Sequence, residues 1–187
     1  MKNILLIQTG GTIAMSAKGD GVELDPGAWS NTLKERIPQL GELAEIHTLP
    51  LFFEDSSDLN HTHWIKLAEC ICDYYDVYDG FVVLHGTDTM AFTASALSFA
   101  LKNLTKPIVF TGSQVPLVSI RSDARRNLIN AIEIATSDLQ EVAICFNDHV
   151  FRGNRSTKHS IGDFDAFGSP NRQPLAIIGL DVKSNYK

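Results

Sequence analysis

Phe81-Val82-Val83-Leu84-His85-Gly86-Thr87-Asp88-Thr89 carries an apolar run straight into a polar, glycine-containing turn, and Ala91 to Leu101 continues as a small-residue helical pattern. This reads as a strand, a tight turn and a helix start. It places the hydroxyls of Thr87 and Thr89 and the carboxylate of Asp88 at the open end of a sheet, where ligands bind in open α/β folds. The N-terminus repeats the pattern, with Ile4-Leu5-Leu6-Ile7 entering Gln8-Thr9-Gly10-Gly11-Thr12. Two threonine-bearing turns in one sheet suggest a site built from hydroxyls, one of them a nucleophile.

Working outward from these junctions, apolar runs predict strands at Asn3–Gln8, Ile46–Leu49, Gly80–Leu84, Pro107–Thr111, Val142–Asn147 and about Ala176–Leu180. Helical periodicity predicts helices over about Gly27–Ile37, Thr62–Tyr75, Met90–Asn103 and Asp123–Ser137. Strands alternating with helices imply a three-layer, Rossmann-like α/β domain, a mostly parallel sheet with helices on both faces. The 187 residues suit one domain. Ser16 to Pro26 is polar and glycine-rich, follows the Thr12 turn and is a lid candidate. Asp181 to Lys187 reads as the start of a polar linker.

Composition narrows the function classes. Hydrophobic residues make up 44% and charged residues 20%, as in a soluble globular protein. A formal net charge of −6 disfavours nucleic acid and anionic membrane as partners. No apolar run approaches the roughly 20 residues that span a bilayer. The first apolar segment meets Gln8 and Thr9 too early for a signal peptide, so a cytoplasmic location is expected. Three cysteines without framework spacing (Cys70, Cys72, Cys145) fit a reducing compartment. His61-Thr62-His63 lacks a nearby third ligand, so no metal is expected and the segment reads as a helix start.

Five pieces lie where such a sheet presents ligands, apart from Lys158, whose placement depends on a loop. Gly10-Gly11 permits close approach of a ligand, but neither G-x-G-x-x-G nor a loop ending in Gly-Lys-Ser/Thr is present, so no phosphate-bearing cofactor is expected. Thr12 either closes the turn or, once deprotonated, acts as a nucleophile. Asp88 either caps the following helix or joins Thr87 in a site. Arg152-Gly153-Asn154-Arg155-Ser156-Thr157-Lys158 carries one lysine among hydroxyls; Lys158 is either a solvated surface group or a partner of Asp88 and Thr87. Asp55-Ser56-Ser57-Asp58 either caps the helix near Thr62 or binds a carboxylate, and Thr111-Gly112-Ser113-Gln114 again follows a strand.

Together these segments resemble the bacterial L-asparaginases, over nearly the whole chain. Gln8-Thr9-Gly10-Gly11-Thr12-Ile13-Ala14 and His85-Gly86-Thr87-Asp88-Thr89-Met90 are similar to that family's paired signature, and the Lys158 segment is most similar to its cytosolic, type I branch. The resemblance implies hydrolysis of L-asparagine to L-aspartate and ammonia without metal or cofactor. It implies Thr12 as the residue that forms an acyl-enzyme and Thr87, Asp88 and Lys158 as a proton-moving cluster. Asp88 would also meet the substrate ammonium, Asp55, Ser56 and Ser57 would hold its α end, and the backbone at Ser113 would face the amide being cleaved. One left-handed crossover and a homo-oligomer, with a dimer favoured, are also implied.

Two departures follow. The lid tyrosine usual in the family has Val22 at about its place here, and no tyrosine stands between Thr12 and Tyr74. The family's smaller C-terminal domain is absent from the sequence, so residues 1–187 are expected to be the N-terminal domain, impaired in turnover on its own. The alternatives are a related glutaminase or amidotransferase amidase subunit, and a non-catalytic module that binds aspartate or asparagine.

Overall fold

The central strands are continuous apolar runs because water reaches neither side of them. The computed structural model describes residues 1–14 and 26–186. In chain order its elements are β1 (Asn3–Gln8), α1 (Pro26–Arg36), α2 (Leu40–Leu43), β2 (Glu45–Pro50), α3 (His61–Asp73), β3 (Gly80–Leu84), α4 (Met90–Ala100), β4 (Ile108–Thr111), α5 (Ala124–Ala135), β5 (Val142–Phe146), β6 (His149–Arg152), β7 (Thr157–Lys158), β8 (Phe167–Gly168), β9 (Ala176–Ile178) and β10 (Val182–Ser184). Every residue of β3, β4 and β5 is buried.

The main sheet has the order β10-β9-β6-β5-β4-β3-β1-β2, with β7 and β8 paired apart from it. From β2 to β5 all pairings are parallel. Successive side chains alternate between faces. Ile4, Leu6, Val82, Leu84 and Val109 pack with residues of α1, α2 and α5. Leu5, Ile7, Phe81, Val83 and Phe110 pack with residues of α3 and α4. This is the three-layer α/β arrangement that the periodicity predicts.

The layering fixes the relative hand of the crossovers. The steps β3 to β4 and β4 to β5 run in the same direction across the sheet, yet α4 and α5 lie on opposite faces. The β4–α5–β5 connection therefore has the opposite hand to the β3–α4–β4 connection, and the β1-to-β2 and β2-to-β3 connections agree with the latter. With those three in the usual right-handed sense, the α5 crossover is left-handed.

The sheet is more mixed than the sequence suggests. β6 runs antiparallel to β5 through the two-residue link Asn147-Asp148, with Asn147 at φ 55°, a value that asparagine tolerates in hairpin turns. β9 and β10 extend the antiparallel part. The segment expected to open a linker instead contributes β10, whose Val182 to Ser184 pair with Ile178 to Ala176. The lid candidate from Ser16 lies outside the described residues as far as position 25, as does Val22, while Pro26 opens α1.

Candidate active site

β1 sends its crossover to β2 on one side of the sheet, while β3, β4 and β5 are added on the other. Strand order reverses between β1 and β3, and the crevice at their carboxyl ends is where such sheets bind ligands. Both threonine turns leave the sheet there. They touch backbone to backbone: a Cβ on Gly11 would lie 2.6 Å from the Gly86 nitrogen, and one on Gly86 would lie 2.6 Å from Ser56 Cβ. Gly10 and Gly11 have φ of 106° and 95°, conformations that other residues rarely adopt. Thr12 and Thr87 each stand one residue beyond this seam.

Hydrogen bonds lock the seam. Thr9 donates to the Leu84 carbonyl from its backbone nitrogen at 3.1 Å and from its hydroxyl at 2.7 Å. Glu54 N–H donates to the Thr9 carbonyl at 3.3 Å, and the Thr89 hydroxyl donates to the Ser56 carbonyl at 2.7 Å. The Thr111–Gln114 turn joins through His85 N–H donating to the Thr111 carbonyl at 3.0 Å.

Lys158 closes the site from β7. Its ammonium donates to Thr87 Oγ1 and to Asp88 Oδ1, each at 2.8 Å. The lysine side chain is 12% exposed and the aspartate 60%, so the pair joins a shielded cation to a carboxylate open to solvent. Thr87 itself is buried and donates its own proton to Gln114 Oε1 at 3.1 Å. A hydroxyl, an ammonium and a carboxylate in one chain of contacts can pass a proton among themselves and present both charges to a zwitterion.

The turn after β4 is held from below. Asp123, buried at the start of α5, accepts the Gln114 N–H on both oxygens at 3.1 Å and the Val115 N–H at 3.2 Å. The buried Asn127 donates to the Gly112 carbonyl at 2.9 Å and to Asp123 at 3.0 Å, and its oxygen accepts from Asn147 N–H at 3.0 Å. Neither residue stands out in the sequence, where Asp123 reads only as a helix start and Asn127 as a polar position within a helix.

His85 is enclosed under the second turn. Nδ1 lies 2.7 Å from the Gly86 carbonyl, which makes it the donor of a neutral ring, and Nε2 is buried with no partner among the described residues. Burial pushes its pKa down to about 4, opposed only by that backbone contact. The histidine is thus a neutral wedge, edge-on to Phe110.

Of the sequence-predicted residues, Thr87, Asp88 and Lys158 are in direct contact. Thr12, itself half-buried, opens the 3₁₀ turn Thr12–Ala14, whose Ile13 and Ala14 are buried, across the glycine seam from Thr87. Asp88 does not cap α4; Thr89 occupies that place without a side-chain cap bond. Asp55 caps its own 3₁₀ turn by accepting from Ser57 N–H at 2.8 Å, while α3 is capped by Asn60 with His63. Ser56 is buried against Gly86, and Asp55 and Ser57 are exposed beside it. Ser113 is buried, with its hydroxyl committed to the Val115 carbonyl at 2.6 Å, which leaves its peptide rather than its side chain for a ligand. Gln114, the bridge from Thr87 to the Lys158 hairpin, closes the Thr111–Gln114 segment that the sequence singles out, but no role is assigned to it there.

Among the described residues, the buried cysteines do not compete with this cluster as a reactive centre. Burial, the leading cause for each, raises the thiol pKa of both Cys70 and Cys145, so neither is thiolate-prone. Among the described residues no group of three His, Cys, Asp or Glu could hold a metal ion, and no helix is long and apolar enough to cross a membrane.

Fold and site together define an α/β protein whose polar centre lies at the switch point of a parallel sheet and is assembled from threonine hydroxyls, one lysine and one aspartate. The comparisons specify which. The family described as "Asparaginase, N-terminal" matches residues 3–187. L-asparaginase 1 of Escherichia coli strain K12 is 44% identical over 97% of this chain and 55% of its own length. The structure of L-asparaginase I from Vibrio cholerae superposes with a TM-score of 0.91 at 42% identity, over 98% of this chain and 56% of that one. A probable cytoplasmic L-asparaginase from Campylobacter jejuni gives 0.89 at 31% identity, over 98% and 58%. The chain belongs to the asparaginase family and spans about half the length of these relatives.

Proposed function

We propose that this chain carries the catalytic centre of an asparaginase, converting L-asparagine and water to L-aspartate and ammonia through a threonine acyl-enzyme. The observation that carries the reading is the Lys158 ammonium, held 2.8 Å from both Thr87 Oγ1 and Asp88 Oδ1 one residue beyond the glycine seam that also positions Thr12. Thr12 Oγ attacks the side-chain amide carbon and loses its proton; the amide nitrogen gains one and leaves as ammonia. Water, deprotonated with the help of Thr87 and Lys158, then cleaves the ester and restores the Thr12 hydroxyl. No metal or cofactor has a role in this sequence.

Binding follows from charge. Asp88, mostly exposed, meets the substrate ammonium, and Asp55, Ser56 and Ser57 with their turn amides hold the α end. The peptide at Ser113 faces the amide being cleaved. Backbone N–H groups of the two threonine turns steady the oxyanion, where one donor is typically worth about 3 kcal/mol. A ligand lacking one α group leaves a polar partner unmatched, so discrimination is strong.

Residues 1–187 are read as the N-terminal domain of a cytoplasmic enzyme that works as a homo-oligomer, with a dimer favoured; sedimentation of the purified protein tests the last point. The activity is tested by ammonia release from L-asparagine, L-glutamine and a tRNA-linked amide in parallel. Release from asparagine in preference to the other two is expected. Preference for glutamine or the tRNA-linked amide moves the assignment to a related amidohydrolase, and calorimetric binding of aspartate without any release moves it to a binding module.

A further inference from the structure

We propose that Gln114 is a positioning residue that fixes the proton of Thr87 and thereby keeps a lone pair of Thr87 Oγ1 open toward the bound ligand; its kinetic arm rests on the asparaginase reading. Gln114 bridges the turn after β4, the Thr87 turn and the loop that follows Lys158. Its side-chain nitrogen donates to the carbonyls of Ile161 at 3.3 Å and Asp163 at 3.1 Å, which uses both of its N–H groups. The amide therefore cannot turn over without setting its oxygen against two carbonyl oxygens. Its Oε1 faces Thr87 as an acceptor only, so Thr87 must donate, as the 3.1 Å contact records.

The consequence lies in the valence of Thr87 Oγ1. Of its four directions, one is the bond to Cβ, one is the proton held by Gln114, and one is a lone pair taken by Lys158 at 2.8 Å. Among the described residues none takes the remaining lone pair, which can accept from an N–H or O–H of an incoming group, such as a water or a substrate amine. Without Gln114 the hydroxyl can rotate, and its proton can point at the incoming donor and repel it. The backbone of Gln114 is itself pinned by the Asp123 carboxylate, so the orientation is imposed by rigid structure.

Two substitutions separate this role from a purely structural tether. Gln114→Leu removes the acceptor for Thr87 and both donors to the loop. Gln114→Glu keeps an acceptor for Thr87 but loses the donors and opposes the Ile161 and Asp163 carbonyls with negative charge. If proton orientation matters, Gln114→Leu lowers kcat for asparagine about tenfold or more with KM changed less than about threefold, and Gln114→Glu recovers most of that loss. If Gln114 only tethers the loop, Gln114→Glu is as impaired as Gln114→Leu or worse, and the proposal is overturned.

A second measurement does not need turnover. In the unsubstituted protein the Gln114 side-chain N–H protons should be protected from exchange. Its carbonyl carbon resonance should move upfield in Thr87→Val, which cannot donate. An unmoved resonance overturns the proposal even if the enzyme is active; a moved resonance in a protein that releases no ammonia upholds it while the asparaginase reading fails.

Discussion

Lys158 and Asp88 form an ion pair whose worth, under the proposed mechanism, lies in chemistry rather than stability. The carboxylate is more than half exposed and already solvated, and such pairs contribute about 0–1 kcal/mol. Lys158→Met is therefore expected to lower kcat for asparagine about a hundredfold or more while changing unfolding free energy by less than about 1 kcal/mol; steady-state kinetics and urea titration read the two separately. His85 behaves in the opposite way. It is neutral in the folded protein with a pKa of about 4 against an ordinary 6.5. Between those values the unfolded chain binds a proton that the native one does not. The contribution of about 3 kcal/mol is complete above pH 6.5 and is lost as pH falls toward 4. An NMR titration of the His85 ring is expected to show a midpoint near 4; a midpoint near 6.5 would mean the ring is solvated. The site threonines and Asp88 are legible in sequence as polar residues after apolar runs. Lys158 is legible only as one of two readings, since a lone lysine among hydroxyls suits a solvated surface as well as a partner of Asp88, and nothing near it in the chain says what it will face.

At the scale of elements, the site depends on how closely two turns approach. Gly11 combines φ of 95° with a Gly86 nitrogen 2.6 Å from where a Cβ would sit. Gly11→Ala is expected to cost roughly 2–4 kcal/mol, from strain plus displaced backbone, and to lower activity by parting Thr12 from Thr87; thermal unfolding and an asparagine assay check both. Asp123→Ala leaves the Gln114 and Val115 N–H groups and one Asn127 donor without their acceptor, at a cost of roughly 3 kcal/mol or more, visible in the urea midpoint. The long strands and the helices with clear periodicity are legible to within three residues at their ends, the largest gap being at the C-terminus of α4, which stops at Ala100. β6, β7, β8 and β10 are too short for a periodic signal, and what makes them strands is a partner remote in sequence. Val182 to Ser184 look like linker until β9 is beside them. The same limit hides Asp123 and Asn127, whose roles exist only once the Gly112–Val115 turn lies over α5.

For the whole molecule, alternating strands and helices predict a layered parallel sheet, and the parallel part from β2 to β5 is that sheet. The antiparallel continuation through β6, β9 and β10, and the reversed hand of the α5 crossover, come from tertiary choices that hydrophobic period does not encode. A chain corresponding to about half the length of its relatives is expected to release ammonia from asparagine more slowly than Escherichia coli L-asparaginase 1, measured side by side at equal site concentration; equal rates would mean that these 187 residues hold everything the chemistry needs. L-aspartate at a hundredfold excess over its Kd should raise stability by about 2.7 kcal/mol.

The central claim is that Thr12 becomes acylated in a pocket it shares with Thr87, Asp88 and Lys158. Its most direct test is to mix the Thr87→Val protein with L-asparagine, quench in acid and map the peptides by mass spectrometry. The account predicts one aspartyl group on the peptide containing Thr12 and none after Thr12→Ala. An aspartyl group on another residue, or ammonia released with Thr12 unmodified at every time point, would contradict it.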